Sequence, residues 1–170
     1  VKALYYQDNG GWDAVNEAYN NPPTTTEQII HPEKYFAQEG ALTVVAPSVP
    51  SNWSLVNTDS YGEYFVYVML DNWISEEDAF NAAEGWGGDV FSYYESDDEF
   101  FFTWNIVWDT KDDSNDFELA FRDMMYRTSA EKHNCSSWEA DGRYISIIQK
   151  GNSTVIISSA DEATVQHFVE

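Results

Sequence analysis

Trp86 to Asp109, WGGDVFSYYESDDEFFFTWNIVWD, is the stretch whose reading decides the fold. Two runs rich in aromatic and β-branched residues flank the polar tetrapeptide Ser96-Asp97-Asp98-Glu99, a composition that suits a short loop between antiparallel strands. Placing the loop there fixes the register: with Glu95 opposite Phe100, Tyr93 faces Phe102 and Phe91 faces Trp104. Period two then puts Phe91, Tyr93, Phe102, Trp104, Ile106 and Trp108 on one side of the ribbon. An aromatic cross-strand pair contributes about 0.2–1 kcal/mol, whereas burying one large apolar side chain contributes about 1.5–3 kcal/mol. Burial is the larger effect, so this face is expected to be covered by the rest of the chain. The opposite side, with Ser92, Tyr94, Thr103 and Asn105 beside Val90 and Phe101, is mixed and expected to be part solvated.

Thirty acidic residues against eight basic ones give a formal net charge of −22 over 170 residues. That field repels phosphate backbones and anionic lipid, which argues against nucleic-acid and membrane-surface roles. Acidic chains are often disordered, but disorder also requires few aromatic and β-branched residues, and 16% of this chain is aromatic. The composition fits a folded domain with an acidic, Lys-poor surface, suited to high salt or to an exposed cell-surface setting. The length fits one domain with an appended segment. With Cys135 alone, no intrachain disulfide can form and no cysteine pair exists for a metal or redox motif; the thiol is read as inert. No run of about 18 apolar residues and no charged-then-apolar signal opens the chain. Direct membrane insertion is not expected, and Val1 points to a piece of a longer polypeptide.

Working outward to the N-terminus, Gly10-Gly11 opens a helix in which Trp12, Val15 and Tyr19 recur at helical spacing, and Asn20-Asn21-Pro22-Pro23 ends it. Thr24 with Glu27 has capping-box spacing. A short helix through Gln28, Ile29 and Ile30 is therefore predicted, interrupted at Pro32, with a last turn over Glu33 to Ala37. Residues 1–40 read as a helical N-terminal segment and 41–170 as an α+β antiparallel-sheet domain. Residues 40–60 read as a connection with one short strand, Leu42 to Val45. Glu63 to Leu70, apolar on both faces, reads as a central strand. Ser75 with Asp78 caps a helix that turns Ala79, Phe80 and Ala83 inward, and Gly85 stops it.

Beyond the hairpin, Asp112, Asp113, Ser114 and Asp116 form the acidic first turn of a helix reaching about Thr128, with Phe117, Ala120, Phe121 and Met124 as its buried stripe. Read instead as an EF-hand from Asp109, the loop has Lys111 at position three, no glycine at six and Ala120 at twelve, so calcium is disfavoured. Gly151-Asn152 is a two-residue turn between strands Arg143–Lys150 and Ser153–Ser159. Ser159 with Glu162 boxes a final helix with Val165, Phe168 and Val169 inward. The order β-α-ββ-α-ββ-α predicts an α+β fold, an antiparallel sheet with helices on one face, preceded by the short helical segment.

The run Gly10-Gly11-Trp12-Asp13-Ala14-Val15-Asn16, followed by Asn21-Pro22-Pro23-Thr24-Thr25-Thr26-Glu27-Gln28-Ile29-Ile30-His31-Pro32-Glu33-Lys34-Tyr35, resembles a stretch of secreted, metallopeptidase-like (gluzincin-like) bacterial and archaeal proteins of largely unknown function. There it lies downstream of the zinc-binding helix. Glu84-Gly85-Trp86-Gly87-Gly88-Asp89 and the stretch Trp104 to Phe117 also resemble the distal part of those proteins. The zinc motif itself, H-E-x-x-H, does not occur here, and His31, His133 and His167 are scattered singly. The resemblance implies an accessory region of such a protein rather than its active site, with no metal ligands of its own.

No phosphate loop, nucleophile elbow or dinucleotide fingerprint is present, and neither catalytic residues nor a cofactor is assigned. Met124-Met125 reads as core. Three sequons, at Asn52, Asn134 and Asn152, are glycosylation candidates, Asn152 lying at a hairpin tip. The first functional reading is a non-catalytic extracellular or cell-surface domain acting through binding or assembly, with a protein partner or its own copies. A second is a hydrolase with a cleft near His31, using Glu27 and Glu33. A third is a structural subunit of a surface assembly, joined through an open sheet edge.

Overall fold

The computed structural model describes residues 10–96 and 99–169, the last without its side chain; Asp97 and Asp98 of the expected loop, and the inward placement of Val169, lie outside the described residues. Strands β2 (Trp86–Ser96) and β3 (Glu99–Trp108) form the centre of the molecule. Glu95 pairs with Phe100, Tyr93 with Phe102 and Phe91 with Trp104, the register set by the loop composition. Around this pair stand β1 (Ser54–Asp59), β4 (Glu131–Lys132), β5 (Ser137–Ala140), β6 (Arg143–Lys150) and β7 (Ser153–Ser159). The sheet is antiparallel throughout, in the order β1-β2-β3-β7-β6-β5-β4. The β6–β7 turn falls at Gly151-Asn152, where Gly151 takes a φ of 66° that its missing Cβ permits. Asn152 also ties this hairpin to β3, exchanging hydrogen bonds of 2.8 Å with the backbone of Trp108.

The helices are α1 (Gly11–Asn20), α2 (Thr26–Ile30), α3 (Pro32–Phe36), α4 (Gly62–Asp71), α5 (Glu76–Ala83), α6 (Lys111–Arg127) and α7 (Glu162–Val169). The α+β class and the short helical start agree with the sequence reading. Caps shift by small steps: Thr25 rather than Thr24 caps α2, Thr110 forms a reciprocal box with Asp113 at α6, and the Asp161 carboxylate receives the Thr164 backbone N–H at α7.

Three expectations are corrected. Glu63 to Leu70 is not a strand but lies within α4. Its residues sort at helical spacing, with Glu63, Val66 and Leu70 buried while Tyr64, Phe65 and Val68 are more exposed. The start of α4 is held from a distant strand. The Asp89 carboxylate, itself buried, accepts from Tyr61 N at 2.9 Å, Gly62 N at 3.2 Å and Ser60 Oγ at 2.7 Å, and also from Trp104 Nε1 at 2.6 Å. These bonds satisfy helix-terminal donors that no local residue caps. Leu42 to Val45 is not a strand either, and the edge strand β1 falls at 54–59, inside what reads as a connection. In place of a strand, 42–53 crosses the sheet as an extended cover. Leu42 N donates to Gly87 O at 2.7 Å, Asn105 Nδ2 to Val45 O at 3.1 Å, and Trp53 meets Phe101 edge-on at 4.7 Å.

The third correction follows from that cover. The face expected to be part solvated is closed over Tyr94, Phe101, Ile157 and Val165, against which Val49, Trp53 and Phe168 pack. Segment 42–53 and α7 therefore occupy one face of the sheet. On the other, α4, α5 and α6 enclose the main core of Trp86, Trp104, Ile106, Trp108, Phe117, Phe121, Ile147 and Ile156. Here Ala79, Ala82 and Ala83 are the buried α5 residues and Phe80 is partly exposed. Gly88 exists for the crossing chain: a Cβ there would lie 2.5 Å from the Leu42 carbonyl oxygen. Among the described residues no helix is long and apolar enough to cross a membrane.

Candidate functional site

His31, between α2 and α3, is gathered with Glu33 as the hydrolase reading expects, but its closer partner is a residue that reading missed. His31 Nε2 lies 2.9 Å from Glu63 Oε1, and Nδ1 lies 3.4 Å from Glu33 Oε1. Glu63 is 1% exposed, and its Oε2 has no hydrogen-bond partner among the described residues. Burial pushes its pKa up to about 7, against the lowering effect of His31. Nothing local marks Glu63 in the sequence, since it sits in the apolar run that reads as a strand. With a carboxylate at each ring nitrogen, His31 holds the α2–α3 corner onto the first turn of α4.

Glu27 is not part of that pair. It is buried and faces Lys34, whose Nζ lies 2.5 Å from Glu27 Oε1, 2.9 Å from Asp109 Oδ2 and 3.0 Å from Glu39 Oε1. Burial alone would lower the Lys34 pKa, but the bonds to Asp109, Glu27 and Glu39 outweigh it and hold the ammonium above the ordinary lysine range. At Glu27 burial wins over the pull of Lys34 and the carboxyl is raised. Glu27, Glu39 and Asp109 are the set of three groups among the described residues close enough to share a metal ion. The Lys34 ammonium stands within hydrogen-bond distance of all three, in the position a cation would take. The cluster joins α2 and α3 to the end of β3.

A different feature has the dimensions of a ligand site. Between α4 and α6, on the helix-covered face of the sheet, lies an open groove of about 390 Å³. Tyr61, Phe65 and Met69 form one wall and Phe121, Met124 and Met125 the other. Phe91, Phe102, Trp104, Ile145 and Ile156 make the floor, together with Ser158, which pairs with Phe102 and Ile145. No α5 residue reaches it. The groove exists because the aromatic face of the β2–β3 hairpin is wider than its helical roof: Trp104, Ile106 and Trp108 are buried, whereas Phe91, Tyr93 and Phe102 are only partly covered. A face of this kind is legible in the sequence, but where its roof stops is not. A larger hollow of about 750 Å³ lies among α1, α2 and α3, with Asp13, Glu17, Gln28 and Tyr35 in its lining.

The three sequon asparagines, Asn52, Asn134 and Asn152, are all exposed. Asn134 Oδ1 accepts from Ser136 N at 2.9 Å, and Asn152 Nδ2 donates to Trp108 O. Cys135 is exposed and unpaired.

Fold and groove together define an α+β domain with one antiparallel sheet, covered on both faces and carrying a ligand-sized apolar opening on one of them. The profile of a family described as a domain of unknown function (DUF8575) matches residues 53–168, and the chain belongs to that family. The matched region holds the sheet, α4 to α6 and nearly all of α7; α1 to α3 and most of the crossing segment precede it. Comparison with curated proteins and with solved structures finds no match.

Proposed function

We propose that the chain is a non-catalytic binding domain of an extracellular or cell-surface protein, and that its groove takes a small apolar molecule. The observation that carries the reading is the groove itself. Its volume of about 390 Å³ falls within the ~300–1,000 Å³ typical of small-molecule sites, and by the ~30 Å³ each water occupies in the liquid it would otherwise hold about a dozen waters against nearly unbroken apolar walls. Releasing that water is the driving force. Methionine and aromatic walls suit the role, because thioethers adapt to irregular shapes and rings supply area at little conformational cost.

The acidic surface supports a salt-exposed, extracellular setting and the lack of a nucleic-acid partner. The resemblance of 10–35 and 84–89 to metallopeptidase-like proteins supports an accessory place beside such a domain. Titration with decanol followed by tryptophan fluorescence tests the reading, since Trp104 lies in the floor. A saturable change that Met69→Trp abolishes by filling the groove is expected; a chain that shows no saturable change does not use the groove.

Assembly is the second reading, favoured by β1. It is an edge strand of the sheet and exposed at every residue, Leu55 and Val56 included, and such an edge can pair with a further strand. Light scattering at low and high salt measures it, a mass of one chain at all concentrations being the result against assembly.

A further inference from the structure

We infer that the groove selects an amphipathic carboxylate, an acyl-type small molecule whose apolar body lies on the aromatic and methionine walls and whose carboxylate is received by Arg143. This rests on the groove being a ligand site. Arg143 opens β6, and period two puts it on the same face as Ile145 in the groove floor. Its guanidinium carbon lies 5.6 Å from the ring centroid of Phe102, another floor residue, and 4.4 Å from that of Phe100. Nε donates to Ser158 Oγ at 3.0 Å and Nη2 to the Ser158 carbonyl at 2.8 Å. Ser158 lines the groove, so these two bonds tether the planar fork beside the lining, of which Arg143 is not itself a part.

A guanidinium has five N–H donors. Two are used here, and no carboxylate among the described residues lies within 4.0 Å of the group. The contrast with the rest of the chain is sharp. Of its three arginines, Arg122 and Arg127 are each paired with the carboxylate four residues earlier, at 2.8 and 3.0 Å. Among the described residues, the arginine bonded to the groove's Ser158 is the one without a carboxylate.

Two rings already cover part of its surface, and a guanidinium so placed gains most from a planar, bidentate anion that brings its own apolar cover. The net negative charge of the protein opposes anions at long range. Salt near physiological strength screens that field beyond ~8 Å, whereas the fork acts at contact distance. Size separates a small molecule from a protein partner, which needs more than ~1,000 Å² of buried interface for stable association.

Calorimetric titration of the folded chain near neutral pH with decanoate, decanol and decyltrimethylammonium, each below its micelle concentration, compares heads on a common tail. Decanoate is expected to bind about tenfold or more tighter than decanol, equivalent to about 1.4 kcal/mol, with decyltrimethylammonium weakest. R143Q should bring decanoate to the level of decanol and leave decanol unchanged. Should R143Q not fold, R143K is read in the same way, because losing the bidentate fork weakens decanoate and not decanol. Equal affinities for decanoate and decanol in the parent chain, or a preference that survives R143Q, overturn carboxylate selection while decanol binding leaves the groove standing. If none of the three binds, or if Met69→Trp leaves their binding untouched, the groove reading and this inference fall together.

Discussion

Replacing Lys34 by Met removes one ammonium and leaves three carboxylates facing one another. Glu27, with 2% of its side chain exposed, then has no cation within reach among the described residues, while Glu39 and Asp109, at 45% and 38%, stay wet enough to be screened. Removing one partner of a buried ion pair costs about 3–5 kcal/mol. Because Lys34 is itself 20% exposed and two of its three partners are solvated, the lower end applies, about 3 kcal/mol. At about 2–4 °C per kcal/mol for a chain of this size, the melting temperature should fall by about 6–12 °C near pH 7.5.

The sign of the pH dependence is a second, independent readout. Glu27 has a raised pKa in the folded state, and removing Lys34 raises it further. The cost of its ionisation is absent below the unfolded carboxylate pKa and grows as pH rises through the folded value. The gap between parent and K34M should therefore shrink as pH is lowered toward about 4.5, and Glu27→Gln in the K34M background should recover most of the loss. Calorimetric melting at both pH values measures all three. A gap below about 0.5 kcal/mol near pH 7.5, the scale of an ordinary surface substitution, or a gap that does not change with pH, would refute the assignment of Lys34 as the internal cation of this junction.

Glu63, with its pKa at about 7, stabilises the fold least when ionised: its contribution is intact below about pH 4.5 and declines as pH rises through 7, by at most about 3.5 kcal/mol at about 1.4 kcal/mol per unit. Urea unfolding of Glu63→Gln across pH 5 to 8 should lose that slope and equal or exceed the parent at pH 8; an unaltered slope means the titration lies elsewhere. Asp89→Asn keeps the shape but turns an amide toward donors, and should cost about 2–3 kcal/mol, with faster hydrogen exchange in the first turn of α4. Unchanged exchange there would mean that α4 does not depend on this cap. Gly88→Ala drives a Cβ into the Leu42 carbonyl and should cost about 1–3 kcal/mol while exposing 42–50 to limited proteolysis. A cleavage pattern like the parent's would show that the crossing segment is not held there.

What could be read from the sequence divides along the distance over which each element is decided. The β2–β3 register and the β6–β7 turn are set by neighbours in the chain, and loop chemistry with period-two patterning is enough to place them. Tyr64 to Leu70 is apolar at every position, and β-branched and aromatic residues in such a run favour a strand by propensity. What makes it a helix is Asp89, 26 residues after Glu63, which supplies the missing cap through Tyr61 N and Gly62 N. Propensity is a weak preference of tenths of a kcal/mol per residue, and a buried carboxylate accepting several donors outweighs it locally. The same distance hides the site. His31 was visible as a lone histidine, but its partner Glu63 could be named only once the run was known to be helical and docked. The groove belongs to the same class, because its floor is a pattern in β2 and β3 while its extent depends on where α4 and α6 stop covering it. In the sequence Arg143 is only the first residue of a strand in the second hairpin. It becomes a candidate recognition residue only because β7 lies between β6 and β3, which puts Ser158 under its fork and Phe102 beside it. The strand order that decided the core therefore also decides which cation meets the groove.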